Sequence, residues 1–196
     1  MPIAKSSMAE NIQASVGKTA HGEEMTGLGG VYTMTCYDKD GKVKWEDQFH
    51  NLVVNQGLQD LNTKYFKGVA YTAGWYLGLV DATGGPTYAA GNTLASHSSW
   101  TEIAGTGFGG TVYTGNRKLA SFGTATTANP SVIDNSASTA VFSIAASATI
   151  AGAFLCNQET SNTGVLFSAG NFTGGSKTVA SGDTVNVTYQ FSAAAV

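Results

Sequence analysis

Between Ala140 and Ile150 every second residue is apolar: Ala140, Phe142, Ile144, Ala146, Ala148 and Ile150. The residues between them are mostly hydroxylated, among them Ser143, Ser147 and Thr149. Successive side chains of an extended chain point to opposite faces, so this period of two specifies a half-buried strand; a helix cannot sustain it. The same pattern closes the sequence. After a Gly182-Asp183 turn, Val185, Val187, Tyr189 and Phe191 share one side, and Thr184, Asn186, Thr188 and Gln190 share the other. Amphipathic strands bury their apolar faces against a second layer, which predicts a sandwich or barrel.

The rest of the chain fits that frame. Val31–Tyr37 and Lys42–Asp47 read as strands joined by the Asp38-Lys39-Asp40-Gly41 turn, a β-hairpin. At Asn55 the spacing becomes helical, with Leu58, Leu61, Tyr65 and Phe66 on one side, Asn55 as the expected cap and Gly68 as the stop. Trp75–Val80 reads as an apolar strand and Trp100–Ile103 as a short one, with a long loop over 81–98 between them. The glycine-rich stretch 105–110 reads as a flexible turn. Lys118–Thr124 is extended, Thr126–Ser138 is a loop, and Ala153–Cys156 and Val165–Ser168 are further strands. Residues 1–30 are polar, rich in small residues and weakly periodic, and end in a hinge-like Thr26-Gly27-Leu28-Gly29-Gly30. The expected organisation is an extended N-terminal arm over 1–30 and a β-sandwich domain over 31–196. The fold class is all-β, an antiparallel, jelly-roll-like sandwich with one short helix.

Charged residues make up only 12% of the 196, about half the share usual for a soluble domain. Much of the surface must therefore carry Ser, Thr, Asn, Gly and Ala, groups that cost less to dehydrate than ions. Such a surface suits a protein packed into an assembly. The net charge of −3 and the single arginine, Arg117, leave no basic footprint for nucleic acid. No run of apolar residues is long enough to span a bilayer as a helix, and residues 1–20 lack the apolar stretch of a secretory signal. Cys36 and Cys156 read as two buried thiols, with a disulfide left open.

Tests for chemistry return no site. His21, His50 and His97 are isolated in the sequence, without a second ligand at metal spacing, and no nucleophile elbow accompanies the many serines. The Asp38–Gly41 turn lacks the glycine and glutamate positions of a calcium loop. Asp81, Asp134 and Asp183 are loop carboxylates able to hold a surface ion. Trp45, Trp75 and Trp100, with Tyr76 and Phe49, read as core aromatics before a sugar platform. The expectation is no catalytic, cofactor-binding or metal-binding residue, and no enzyme.

Several segments in order resemble small virion proteins of tailed bacteriophages. They are Trp45, then His50-Asn51-Leu52-Val53-Val54-Asn55-Gln56-Gly57-Leu58, then Trp75-Tyr76-Leu77-Gly78-Leu79. Arg117-Lys118-Leu119, Phe142-Ser143-Ile144, the stretch 150–155 and Gly182–Tyr189 continue the likeness, which spans about Val31 to Phe191. The resemblance implies a capsid decoration (cement) protein on the outer surface of the virion. It would be a homo-oligomer whose partner is the major capsid protein, with no nucleic acid and no membrane. The alternative it leaves open is a tail fibre or tail adaptor with receptor or carbohydrate binding, which exposed aromatics at Tyr88, Trp100 or Phe108 would favour.

Overall fold

The computed structural model describes residues 27–71 and 74–195. Two antiparallel sheets pack as a sandwich. The first holds β1 (Leu28–Tyr37), β2 (Val43–His50), β7 (Ser131–Asp134), β8 (Ala140–Ser143) and β12 (Thr184–Ala193), in the order β2-β1-β12-β7, with β8 also on β12. The second holds β3 (Leu52–Val53), β4 (Tyr76–Asp81), β5 (Glu102–Ile103), β6 (Lys118–Leu119), β9 (Ala148–Cys156), β10 (Leu166–Asn171) and β11 (Lys177–Val179). Its order is β3-β10-β9-β4-β5, with β11 on β9 and β6 on β4. The first and last described strands, β1 and β12, lie side by side from Leu28↔Ala193 to Tyr37↔Thr184.

Alternation decides which side chains enter the core. Tyr32, Met34 and Cys36 of β1 and Val185, Val187 and Tyr189 of β12 point inward, where Phe142, Leu77, Leu79, Ile150, Ala153 and Leu155 meet them. Tyr32 stacks on Phe49 at 5.2 Å between ring centroids. The hairpin closes as expected: Asp38 Oδ1 accepts from the N–H groups of Asp40 and Lys42, and Gly41 takes φ +78°.

Five expectations need correction. The alternating stretch from Ala140 to Ile150 is two strands in different sheets. β8 pairs with β12 and β9 pairs with β4 and β10, so the chain crosses the sandwich near residues 144–147. Phe142, Ile144 and Ile150 stay buried because the alternation marks the core side on both layers. The loop expected over Thr126–Ser138 contains β7, held by pairing to Phe191 and its neighbours rather than by any pattern of its own. The helix α1 (Asn55–Lys67) ends at Gly68 in the left-handed region (φ +64°), but its cap position is Val54, with no side-chain cap bond.

The hinge reading of residues 26–30 gives way to strand, since β1 begins at Leu28. Gly30 is glycine for a packing reason: a Cβ there would come within 2.3 Å of the Tyr189 hydroxyl. Residues 1–26 of the expected arm, with His21, lie outside the described residues. The glycine-rich turn is packed rather than flexible. A Cβ on Gly105 would meet the Gly115 carbonyl at 2.1 Å, and one on Gly110 the Ala104 carbonyl at 1.8 Å. A short 3-10 turn runs through Thr106–Phe108.

Candidate functional site

Two surfaces stand out, and the first follows from alternation in the two central strands. Where the inward residues of β1 and β12 fill the core, the outward ones are Val31, Thr33, Thr35 and Tyr37, and Thr184, Asn186, Thr188 and Gln190. None is ionisable except the Tyr37 phenol. Val141 and Ser143 of β8 extend the face beside Asn186 and Thr184. Charge appears toward its borders, at Glu46 on the edge strand β2 and at Asp134 on β7. Thr35 donates to Glu46 at 3.2 Å, and Gln48 donates to Thr33 at 3.2 Å. In the middle of the face the Asn186 Oδ1 is shielded from solvent and has no hydrogen-bond partner. Shielded polar atoms are normally paired, so an orphan acceptor here needs a reason.

The second surface is a groove where the two sheets part beneath α1. Its cavity of about 460 Å³ is lined by Leu61 and Tyr65 of the helix, Trp75, Phe122, Phe167 and Phe191, with Leu155 and Tyr189 beneath and Asp60 and Lys64 also on its wall. Phe167 meets Trp75 edge-on at 5.3 Å and Phe191 at 5.4 Å. The Tyr189 hydroxyl receives the Asn51 amide at 2.9 Å. Burial raises the Tyr189 phenol well above its ordinary range, so it stays neutral. The helix reaches this position because Gly57 lets it approach β10: a Cβ there would lie 2.6 Å from the Phe167 carbonyl. Gln56 fastens the same turn, donating to Gly164 O at 3.0 Å and accepting from Leu166 N–H at 2.8 Å. Beside the groove, Tyr65 is 80% exposed and Phe66 77%, and Val69 and Tyr71 are also exposed.

The residues singled out for chemistry are dispersed. His50 ends β2 and is exposed, while His97 stacks on Trp100 at 3.8 Å with its Nδ1 against the Trp100 carbonyl at 3.1 Å. Asp81 caps its own turn through Thr83, and Asp134 does the same through Ser136. Asp183 pairs with Lys44 and accepts the Ala180 N–H. Among the described residues no group of three or more His, Cys, Asp and Glu side chains is placed to share a metal ion. No described helix is long and apolar enough to cross a membrane.

Cys36 and Cys156 are both free and buried, and burial pushes each thiol up to about 11. Trp100 is 4% exposed, against Phe154, and Tyr88 and Phe108 are half-buried. Trp45 and Trp75 pack partly buried against the core. The large exposed aromatics lie instead at Tyr65, Phe66 and Tyr71. Leu61, Tyr65 and Phe66 carried a helical signal in the sequence, which places them on one side of a helix without showing whether that side is covered.

Arg117 is a structural clamp. Its guanidinium makes a two-pronged pair with Glu102 at 2.8 and 2.6 Å and donates to the carbonyls of Gln158 and Ser161 and to Asn162 Oδ1. Compared with known proteins, the chain matches no family model, no curated protein and no solved structure.

Proposed function

We propose that this chain is a non-enzymatic structural subunit of a tailed-phage particle: a capsid decoration protein that lies on the outer shell and contacts the major capsid protein. The observation that carries the reading is the outer face of the first sheet, where the central strands present no acidic or basic side chain. Covering such a face removes no ion from water, so its burial costs less than burial of a charged surface. The scarcity of charge throughout the sequence supports the same reading, as does the resemblance of its motifs to small virion proteins.

The mechanism would be additive burial. Each copy covers part of a seam between shell subunits, and opening the shell then requires exposing that surface as well. Many copies acting together let a modest contact per copy matter. The tail-fibre alternative draws no support from Trp100, Tyr88 and Phe108, which are buried or half-buried.

Co-sedimentation of the purified chain with expanded empty heads, with isolated tails and with host cells tests the assignment. Saturable binding to heads alone is the expected result. Binding to tails or cells without binding to heads would move the protein to the tail.

A further inference from the structure

We propose that the apolar groove beneath α1 is the docking site for this chain's own N-terminal segment, with the side chains of Met8, Ile12 and Val16 as the inserted groups. This inference does not depend on the virion reading.

The groove has the size and lining of a receiving site. A cavity of about 460 Å³ walled by Leu61, Trp75, Phe122, Phe167 and Phe191 is large enough for two or three aliphatic side chains. Its border carries two aromatic rings, Tyr65 and Phe66, that are more than three-quarters exposed. Contiguous apolar surface of this kind is normally covered.

The place where the described chain begins favours this occupant over another protein. β1 begins at Leu28, paired with Ala193, and Gly30 pairs with Phe191, which is itself a wall of the groove. Gly30 is also fastened to Asn51, four residues ahead of α1: its N–H donates to Asn51 Oδ1 at 2.8 Å, and its carbonyl accepts the Asn51 N–H at 3.1 Å. Adjacent strands are about 5 Å apart and each residue advances about 3.3 Å. The chain therefore leaves β1 within roughly 10–15 Å of the groove wall. The stretch from Ile12 to Gly27 reaches up to about 50 Å when extended, more than enough to return. Tethering at this range gives an effective concentration that a free partner must exceed.

The preceding sequence has the required chemistry. Met8, Ile12 and Val16 recur at intervals of four in an otherwise polar stretch, with Lys5, Glu10 and Lys18 around them. Asp60 and Lys64 on the groove wall offer both signs of charge to these residues.

The test uses the full chain carrying Ile12→Cys with Tyr65→Cys, compared with Ile12→Cys with Lys39→Cys. Lys39 lies in the turn at the far end of β1, about 30 Å from its start. Under mild oxidation, the first pair is expected to form an intrachain disulfide at least about tenfold faster than the second, because docking raises the local thiol concentration. Adding Leu61→Asp should bring the rate down to that of the control pair. Equal rates for the two pairs, or no effect of Leu61→Asp, would overturn the proposal. A product running at the size of two chains would also overturn it, by making a second copy the occupant.

Discussion

The side-chain amide of Asn135 stands in for a strand residue beside Tyr189. Its Oδ1 accepts the Tyr189 N–H at 2.7 Å, and its Nδ2 lies 3.3 Å from the Val187 carbonyl. β7 pairs with β12 from Gln190 to Ala193 and β8 pairs with it from Thr184 to Val187, so the amide bridges the gap between two short strands on one side of β12. Asn135 is fully buried. Asn135→Ala should cost about 1–3 kcal/mol, the usual penalty for leaving buried backbone groups unpaired. Urea unfolding monitored by circular dichroism measures it, and an unchanged midpoint would show that water replaces the amide without loss.

Arg117 should be intolerant of replacement even by lysine. Its guanidinium side chain is fully buried, and five bonds to Glu102, Gln158, Ser161 and Asn162 hold β5 and the loop after β9 together. An ammonium group cannot reproduce the planar fork. Arg117→Ala should lower stability by about 3–5 kcal/mol, because it strands the Glu102 carboxylate in a site where burial already raises its pKa. Arg117→Lys should recover only part of that loss. Denaturant titration of both variants is the check, and near-wild-type stability of Arg117→Lys would contradict the clamp.

Phe142 is fully buried and meets Tyr113 edge-on at 4.9 Å. Phe142→Ala should cost about 3–5 kcal/mol, from lost transfer energy and an unfilled cavity. A neutral result in thermal or chemical unfolding would mean that β8 faces the other way.

Acid should weaken the fold through Asp47 and Asp183. Burial alone would raise both carboxyls, but bonds outweigh it. Thr173, Lys177 and the Gly174 N–H hold Asp47 below the usual carboxylate range, and Lys44, the Ala180 N–H and Cys36 do the same for Asp183. A folded pKa below the unfolded one means that the unfolded chain binds protons first. The stabilisation is therefore fully present above the unfolded value of about 4 and is lost as pH falls through the folded values. Unfolding midpoints recorded from pH 7 downward should stay level with respect to these two groups until about pH 5 and then decline. Asp47→Asn with Asp183→Asn should flatten that decline; an unaltered acid limb would assign it to other carboxylates.

What could be read in the sequence was whatever local pattern controls. The period of two placed Phe142, Val185, Val187 and Tyr189 on the core side, and the Asp38–Gly41 turn closed its hairpin, because both depend on neighbours in the chain. The division of Ala140–Ile150 between two sheets was invisible because alternation fixes which side faces the core and not which layer supplies the strand. β7 was missed because Ser131–Asp134 becomes a strand only through β12. Asn135, Gln56 and Gly57 gave no signal because their partners lie far along the chain, at Tyr189, Leu166 and Phe167. The uncharged face was half legible: Thr184, Asn186, Thr188 and Gln190 were seen to share a side, but their union with Thr33 and Thr35 required the pairing of β1 with β12. The groove could not be seen at all, since it exists only where the two sheets and α1 meet.

Placing a charge on the uncharged face tests the account most directly. Affinity for expanded empty heads would be measured for the wild-type chain, for Thr33→Lys and Thr188→Lys, and for Thr160→Lys on an exposed loop beyond β9. A buried lysine must give up its hydration, so the two face variants should bind at least about tenfold more weakly, while Thr160→Lys binds as wild type. Undiminished binding by folded Thr33→Lys and Thr188→Lys would contradict the claim that this face is the one the shell covers.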